Sequence, residues 1–285
     1  MERTAYQETT EQDSEDDNGN RKEEEAAIHD KITHQQEEEQ FKTEKPGSGQ
    51  GKESSVCNYN PSGALADTDA FHFHKVEEEF KDFIIAQKHP CLMANTVFQM
   101  QNYHLRVYDT IQSDNTAKAV LSDIENYLAN YDFESNTFES LIICFKDNDF
   151  KTETEFEKGL WDFLQKLHNS DNVPWDPTVS QDPDDPNFSF SIKGKAFYIV
   201  GMHPNSSRLA RQAPYCTLVF NLHWQFEKLR EMGIYQRVKK RIRQRDEMLQ
   251  GSINPVLRDH GSESETKQYS GRKVDSSWKC PFQHK

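Results

Sequence analysis

Four stretches of the chain carry residue types at spacings that can do chemistry. Gly201-Met202-His203-Pro204 follows the apolar run KAFYIV, so a histidine stands at the end of a buried strand with a proline restraining its backbone. Its imidazole can ligate a metal or haem iron or act as a base, or simply hydrogen-bond a buried carbonyl. Arg208 and Arg211 follow closely and can fork onto the carboxylates of a substrate or cofactor, or pair with the protein's own acids. Phe220 to Glu227 is a strand-to-helix junction in which Asn221 suits a cap. His223 there is a second ligand candidate, and His223 with Glu227 forms the catalytic choice. Cysteine stands beside proline in His89-Pro90-Cys91 and in Cys280-Pro281, where it is a ligand or nucleophile only if its pKa is lowered. The stretch from Ile242 to Arg272 is dense in Arg, Asp, Glu and Asn. Its Glu263 and Glu265 can grip a cationic group such as a guanidinium, or neutralise Arg258, Lys267 or Arg272.

The elements that must position these residues alternate irregularly. Residues 75–88 place Val76, Phe80, Phe83 and Ile84 on one helical face, and the histidine before Pro90 ends the pattern. Residues 91–102 are apolar and fit either a helix or an irregular core segment. Residues 103–110 alternate as a strand, 114–129 read as a helix with Ala117, Val120, Leu121, Ile124 and Leu128 inward, and 138–145 as a buried strand. A helix is expected over 153–168. Residues 171–187, rich in Pro and Asp with Trp175 as an apolar tip, form either a plain loop or a flap over a site. Strands follow at 188–192 and 195–200 around Lys193-Gly194, then at 214–220, and a long helix covers 224–249 with a break near Gly233. The final 36 residues lack periodicity but hold aromatic residues, so they are expected to wrap onto the body. This mixture implies a single α+β domain over 64–285, its antiparallel or mixed sheet flanked by helices.

Of the 285 residues, 34 are Lys or Arg and 48 are Asp or Glu, a net charge of -14. Residues 1–55 hold 16 of the acids and only 7 of the bases, and residues 1–63 read as a disordered acidic tail. The remainder is nearly balanced, which disfavours nucleic acid as the main partner. There is no apolar run long enough for a transmembrane helix, and the polar, acidic start gives no reason to expect a secretory leader. Five widely spaced cysteines without a CxxC pair fit a reducing compartment, so a cytoplasmic protein is expected. Phosphate-loop, dinucleotide-binding, zincin and hydrolase-elbow motifs are all missing.

GMHPNSSRLARQAPYCTLVFNLHWQFEKLRE, IRQRDEMLQGSINPVLRDHGSESETKQYSGR and WKCPF together closely resemble the YqcI/YcgG family. EEFKDFIIAQKHPCLMANTVF resembles that family's N-terminal signature, so the resemblance runs over roughly residues 76–283. The family includes haem-dependent enzymes that N-hydroxylate guanidino groups of amino acids in guanitoxin and cycloserine biosynthesis. The resemblance therefore implies a haem b monooxygenase that uses dioxygen and an external electron donor on a small cationic, amino-acid-like substrate. It implies His203 as the iron ligand, with Arg208 and Arg211 holding the cofactor. Leu222 and Trp224 depart from the family's familiar NPHEQFE form, Gln212 stands where a second arginine is common, and His89 replaces an aromatic residue. Three other classes stay open: a haem sensor or carrier, a non-haem metal oxygenase using His203, His223 or His260, and an interaction protein contacting partners through the basic helix 235–245. Self-association as a homodimer is also left open.

Overall fold

The computed structural model describes residues 67–254 and 262–285. The expected acidic tail, Cys57, Arg258 and His260 lie outside the described residues. Helix α1, Asp67–Lys81, runs into a π-turn at Asp82–Ala86, and Val76, Phe80, Phe83 and Ile84 are buried as their spacing requires. The ambiguous segment resolves into helix α2, Leu92–Gln99, because Cys91 is held extended and its Sγ accepts the Ala94 N–H at 3.5 Å. Then come β1 (Tyr103–Tyr108), α3 (Asp114–Asn130), β2 (Ser140–Phe145) and α4 (Glu153–Ser170). Ser113 caps α3, and Thr152 with Glu155 forms a capping box on α4.

Strands β3 (Phe190–Ile192) and β4 (Lys195–Met202) form a hairpin. Its two turn residues, Lys193 and Gly194, have φ of 53° and 72°, the left-handed geometry that a two-residue hairpin demands. A 3-10 turn at Leu209–Arg211 leads to β5, Cys216–Leu222. The long C-terminal helix is split as anticipated: Gly233, at φ 69°, separates α5 (His223–Glu231) from α6 (Tyr235–Gln250). A single turn, α7 (Thr266–Tyr269), follows.

The five strands make one sheet in the order β1-β2-β5-β4-β3, with β1 and β2 parallel and every other pair antiparallel. This is a mixed α+β domain. Leu141, Ile143, Phe145, Phe197, Ile199, Leu218 and Phe220 alternate onto one face, where they pack with the apolar sides of α3 and α4. The other face presents Ile142, Cys144, Val200, Met202 and Val219 to α1, the π-turn, α2 and α6. Among the described residues no helix is long and apolar enough to cross a membrane.

The Pro- and Asp-rich loop is clamped to the hairpin. Asp171 accepts the Lys193 N–H at 2.6 Å, and Asp176 accepts those of Thr178 and Ala196. Trp175 packs on Phe188, Phe190 and Phe282. The chain end wraps onto the body as expected, with Phe282 only 3% exposed. On β4, Gly201 is needed for close approach: a Cβ there would lie 2.6 Å from Leu160 Cδ1 and 2.7 Å from the Tyr269 carbonyl. Gly201→Ala is therefore expected to destabilise the domain by about 2 kcal/mol through overpacking; equilibrium urea unfolding checks this.

Candidate functional site

The helix-covered face of the sheet does not close completely. Between it and α1, α2, α5 and α6 lies a cavity of about 350 Å³, in the range of small-molecule sites. Phe80, Met93 and Phe98 from the helices, Val200 and Val219 from the sheet, and Val238 from α6 supply much of its apolar lining. The polar groups arrive at a few points, each set by a local device.

At one end, Cys91's cap position holds His89. The Cys91 N–H donates to His89 Nδ1 at 3.2 Å, so His89 Nε2 carries the proton and donates to the Ala210 carbonyl at 2.9 Å. Burial holds its pKa down to about 4, aided by Arg211 and Arg245, so the ring is neutral. Arg208 donates to Asp246 at 2.6 Å and to the Ser252 hydroxyl and carbonyl. Both partners of that ion pair are buried, and Asp246 also accepts the Asn254 N–H at 3.0 Å.

Arg211 is different. It is buried and donates to the carbonyls of Gly201 at 2.8 Å, Gln268 at 3.3 Å and Tyr269 at 3.4 Å, but it forms no ion pair among the described residues. Burial lowers its pKa, opposed by nearby Tyr198 and Asp246, yet a guanidinium stays charged.

Glu265 and Gln268 approach from α7. Tyr198, on the cavity side of β4, donates to Gln268 Oε1 at 3.1 Å. Glu265 Oε1 accepts from Tyr269 Oη at 2.5 Å and from Ser189 Oγ at 2.8 Å. Among the described residues no cation pairs with it, and burial pushes its pKa up to about 8. Glu263 also reaches the cavity but is half exposed and lies 3.7 Å from Lys267. Further along, Ser140 donates to Asn221 at 2.8 Å, and Gln225 donates to the Glu139 carbonyl. Asn221 thus works inside the sheet; Leu222 occupies the cap position of α5.

His223 and Glu227 do meet, at 3.3 Å across one helical turn, with Arg230 also donating to Glu227. His223 lines the cavity and also a second, more polar pocket of about 390 Å³ that includes Asp176, Lys195, Trp224 and Glu227. Burial lowers its pKa, although Glu227 pulls the other way.

His203 is placed elsewhere. Counting by twos along β4, it shares a face with Phe197, Ile199 and Gly201, opposite to Tyr198, Val200 and Met202. Its ring stacks on Phe156 of α4 with centroids 4.4 Å apart, and neither ring nitrogen has a hydrogen-bond partner. It does not line the cavity. Of the donors that do line it, both His89 nitrogens are engaged, and burial raises the Cys91 thiol away from thiolate. Cys280 is likewise pushed up to about 12. Among the described residues no group of three or more His, Cys, Asp and Glu is placed to hold a metal ion. The expectations of haem b, of iron on His203 and of a monooxygenase reaction built on them are overturned. The non-haem arrangement of His203 or His223 with a carboxylate fails on the same ground, and His260 lies outside the described residues.

A mixed five-stranded sheet with one sealed face and one cavity-bearing face defines the structural class. The chain belongs to the YqcI/YcgG family, which it matches over residues 80–283. It is 25% identical over 209 residues to the uncharacterized protein YqcI of Bacillus subtilis (strain 168), an alignment covering 68% of this chain and 80% of that protein. No solved structure matches the chain.

Sequence reasoning missed Tyr198, Gln268 and Asp246. Tyr198 was legible in principle, because alternation through KAFYIV puts it opposite Phe197 and Ile199. Two measurements follow from these contacts. Asp246→Ala strands the buried Arg208 and is expected to cost about 3 kcal/mol in denaturant unfolding. Glu265 keeps its proton to about 8 when folded but loses it near 4.5 when unfolded, so the unfolded chain binds fewer protons between those values. Its contribution to stability is thus full below 4.5 and is lost as pH rises to about 8, with a slope of about 1.4 kcal/mol per pH unit. Glu265→Gln should remove that slope when unfolding is compared across pH.

Proposed function

We propose that the chain is an enzyme whose substrate is a small amphipathic molecule with an anionic end, bound in the cavity beneath α6. The observation that carries this is Arg211, a buried guanidinium beside an apolar cavity whose hydrogen-bond partners are neutral, three carbonyl oxygens and the Tyr198 hydroxyl. Buried charges are ordinarily paired, and among the described residues Asp246, the acid that acts on Arg211, already serves Arg208. Two guanidiniums against one carboxylate leave an excess of one positive charge, which an incoming anion would balance in a low-dielectric setting.

The basic segment of α6 supports the same reading. Arg241 is buried, Lys239 and Arg243 line the cavity, and Arg245 donates to the His89 carbonyl at 3.0 Å. Of the basic residues over 235–245, only Arg237 and Lys240 are exposed. The helix directs most of its charge inward, which favours a ligand site over a contact surface for a partner. Altered proton affinities at His89, Tyr198 and Glu265, gathered in one cavity, are what acid–base chemistry requires. Dioxygen and an external electron donor entered only with haem and form no part of this reading.

Calorimetry with decanoate and decanol tests the charge preference, since the two share an apolar body. Decanoate is expected to bind at least about tenfold more tightly, a preference that Arg211→Met abolishes. Equal affinities would overturn the anionic reading. Incubation with a metabolite extract, followed by mass spectrometry, tests turnover: an apolar anion should be depleted and a product should appear. An extract left unchanged would overturn the enzymatic part.

A further inference from the structure

Glu265 stands out among the cavity's acids because its two oxygens are treated unequally. Oε1 receives two hydroxyl donors, Tyr269 Oη at 2.5 Å and Ser189 Oγ at 2.8 Å. Oε2 has no hydrogen-bond partner and no cation beside it among the described residues, although the residue lines the cavity and is only 6% exposed. An isolated carboxylate in such a place would be strongly disfavoured, and the ordinary remedy is to keep the proton. Oε1 lies nearest the two hydroxyls, which also reach the Phe197 carbonyl, so Oε2 is the oxygen left for the proton.

We propose that Glu265 is a neutral carboxylic acid that donates a hydrogen bond from Oε2 to an anionic oxygen of a molecule bound in the cavity that Arg211 also lines. The inference deepens the proposed function and names the recognised group as a carboxylate. Gln268, one turn along α7, links the two residues through the backbone: its N–H donates to the Glu265 carbonyl at 2.9 Å and its own carbonyl accepts from Arg211 at 3.3 Å. In a cavity that already holds a buried guanidinium, an un-ionised acid adds a donor for a carboxylate without adding negative charge. The arrangement also explains why an acidic residue belongs in a site for an anion. In its ionised form it would repel the ligand; as an acid it holds it.

Proton linkage follows. Other titratable groups about Glu265 are Tyr269 on its own element and Tyr198 on β4, both held protonated by burial well above the neutral range, while Arg211 stays charged. His89 is neutral from about 4 upward, so Glu265 is the cavity group that changes charge near pH 8.

Decanoate, ionised throughout, is the probe, and its affinity is measured by calorimetry from pH 6 to 9.5. The expected result is a plateau to about pH 8, then a fall approaching tenfold per pH unit, with proton uptake on binding. Glu265→Gln keeps a donor but cannot ionise, so its affinity should stay flat over the same range. A wild-type profile without the fall, or the same fall in Glu265→Gln, overturns the proposal while leaving the anionic cavity standing. Failure of decanoate to bind at all overturns both. An independent check needs no ligand: at pH 7 the infrared carbonyl band of a protonated carboxyl should be present in the wild type and lost in Glu265→Gln. Its absence from the wild type also sinks the proposal.

Discussion

Successive side chains of β4 and β5 point to opposite faces of the sheet, and this alternation divides the domain into two unequal halves. Phe197, Ile199, Leu218 and Phe220 meet the broad apolar sides of α3 and α4, and the fit is close enough that β4 needs a glycine at 201. Val200, Met202 and Val219 meet shorter and more varied helices, and those helices leave a space. The covering side is made from α1 with its π-turn, an eight-residue helix and two helices parted at Gly233. A cavity results where the two kinds of surface fail to interlock.

Within that space the protein meets the cost of burying ionisable groups in three ways. Arg208 is neutralised by Asp246. His89 is kept neutral by burial, with a backbone donor on one nitrogen and a carbonyl on the other, and Glu265 is neutral because burial outweighs the two hydroxyls that favour its ionised form. Arg211 cannot be treated by proton loss, and carbonyl dipoles only partly offset its charge. The asymmetry between a group that can shed its charge and one that cannot gives the cavity its electrostatic character.

Much of the architecture could be read from periodicity. Helices α3 and α4 and strand β2 have unbroken apolar spacing, and Gly233 marked the split before α6. The state of residues 91–102 could not be read, because it turns on a thiol acting as a cap, which residue type alone seldom signals. Arg208, Arg211, His223, Glu263 and Glu265 all reach the cavity wall. His203 does not, for a reason one residue wide: the pleat of β4 carries on past Met202 and turns its ring toward Phe156. Which way a side chain faces is a local matter of register, and a shared motif does not determine it. Pairings such as Ser189 with Glu265 join positions 76 apart in sequence, beyond the reach of any pattern in the chain.

The docking of the chain's last segment bears on the order of events during synthesis. Gln283 exchanges two hydrogen bonds with Gln165, Trp278 donates to Glu157, and Phe282 fills the aromatic cluster around Trp161 and Trp175. Helix α4 therefore leaves the ribosome well before the residues that cover it, and its apolar side must wait, partly bare, while more than a hundred further residues are made. Contacts of such sequence separation close late and slowly. The interval of exposure is set by translation.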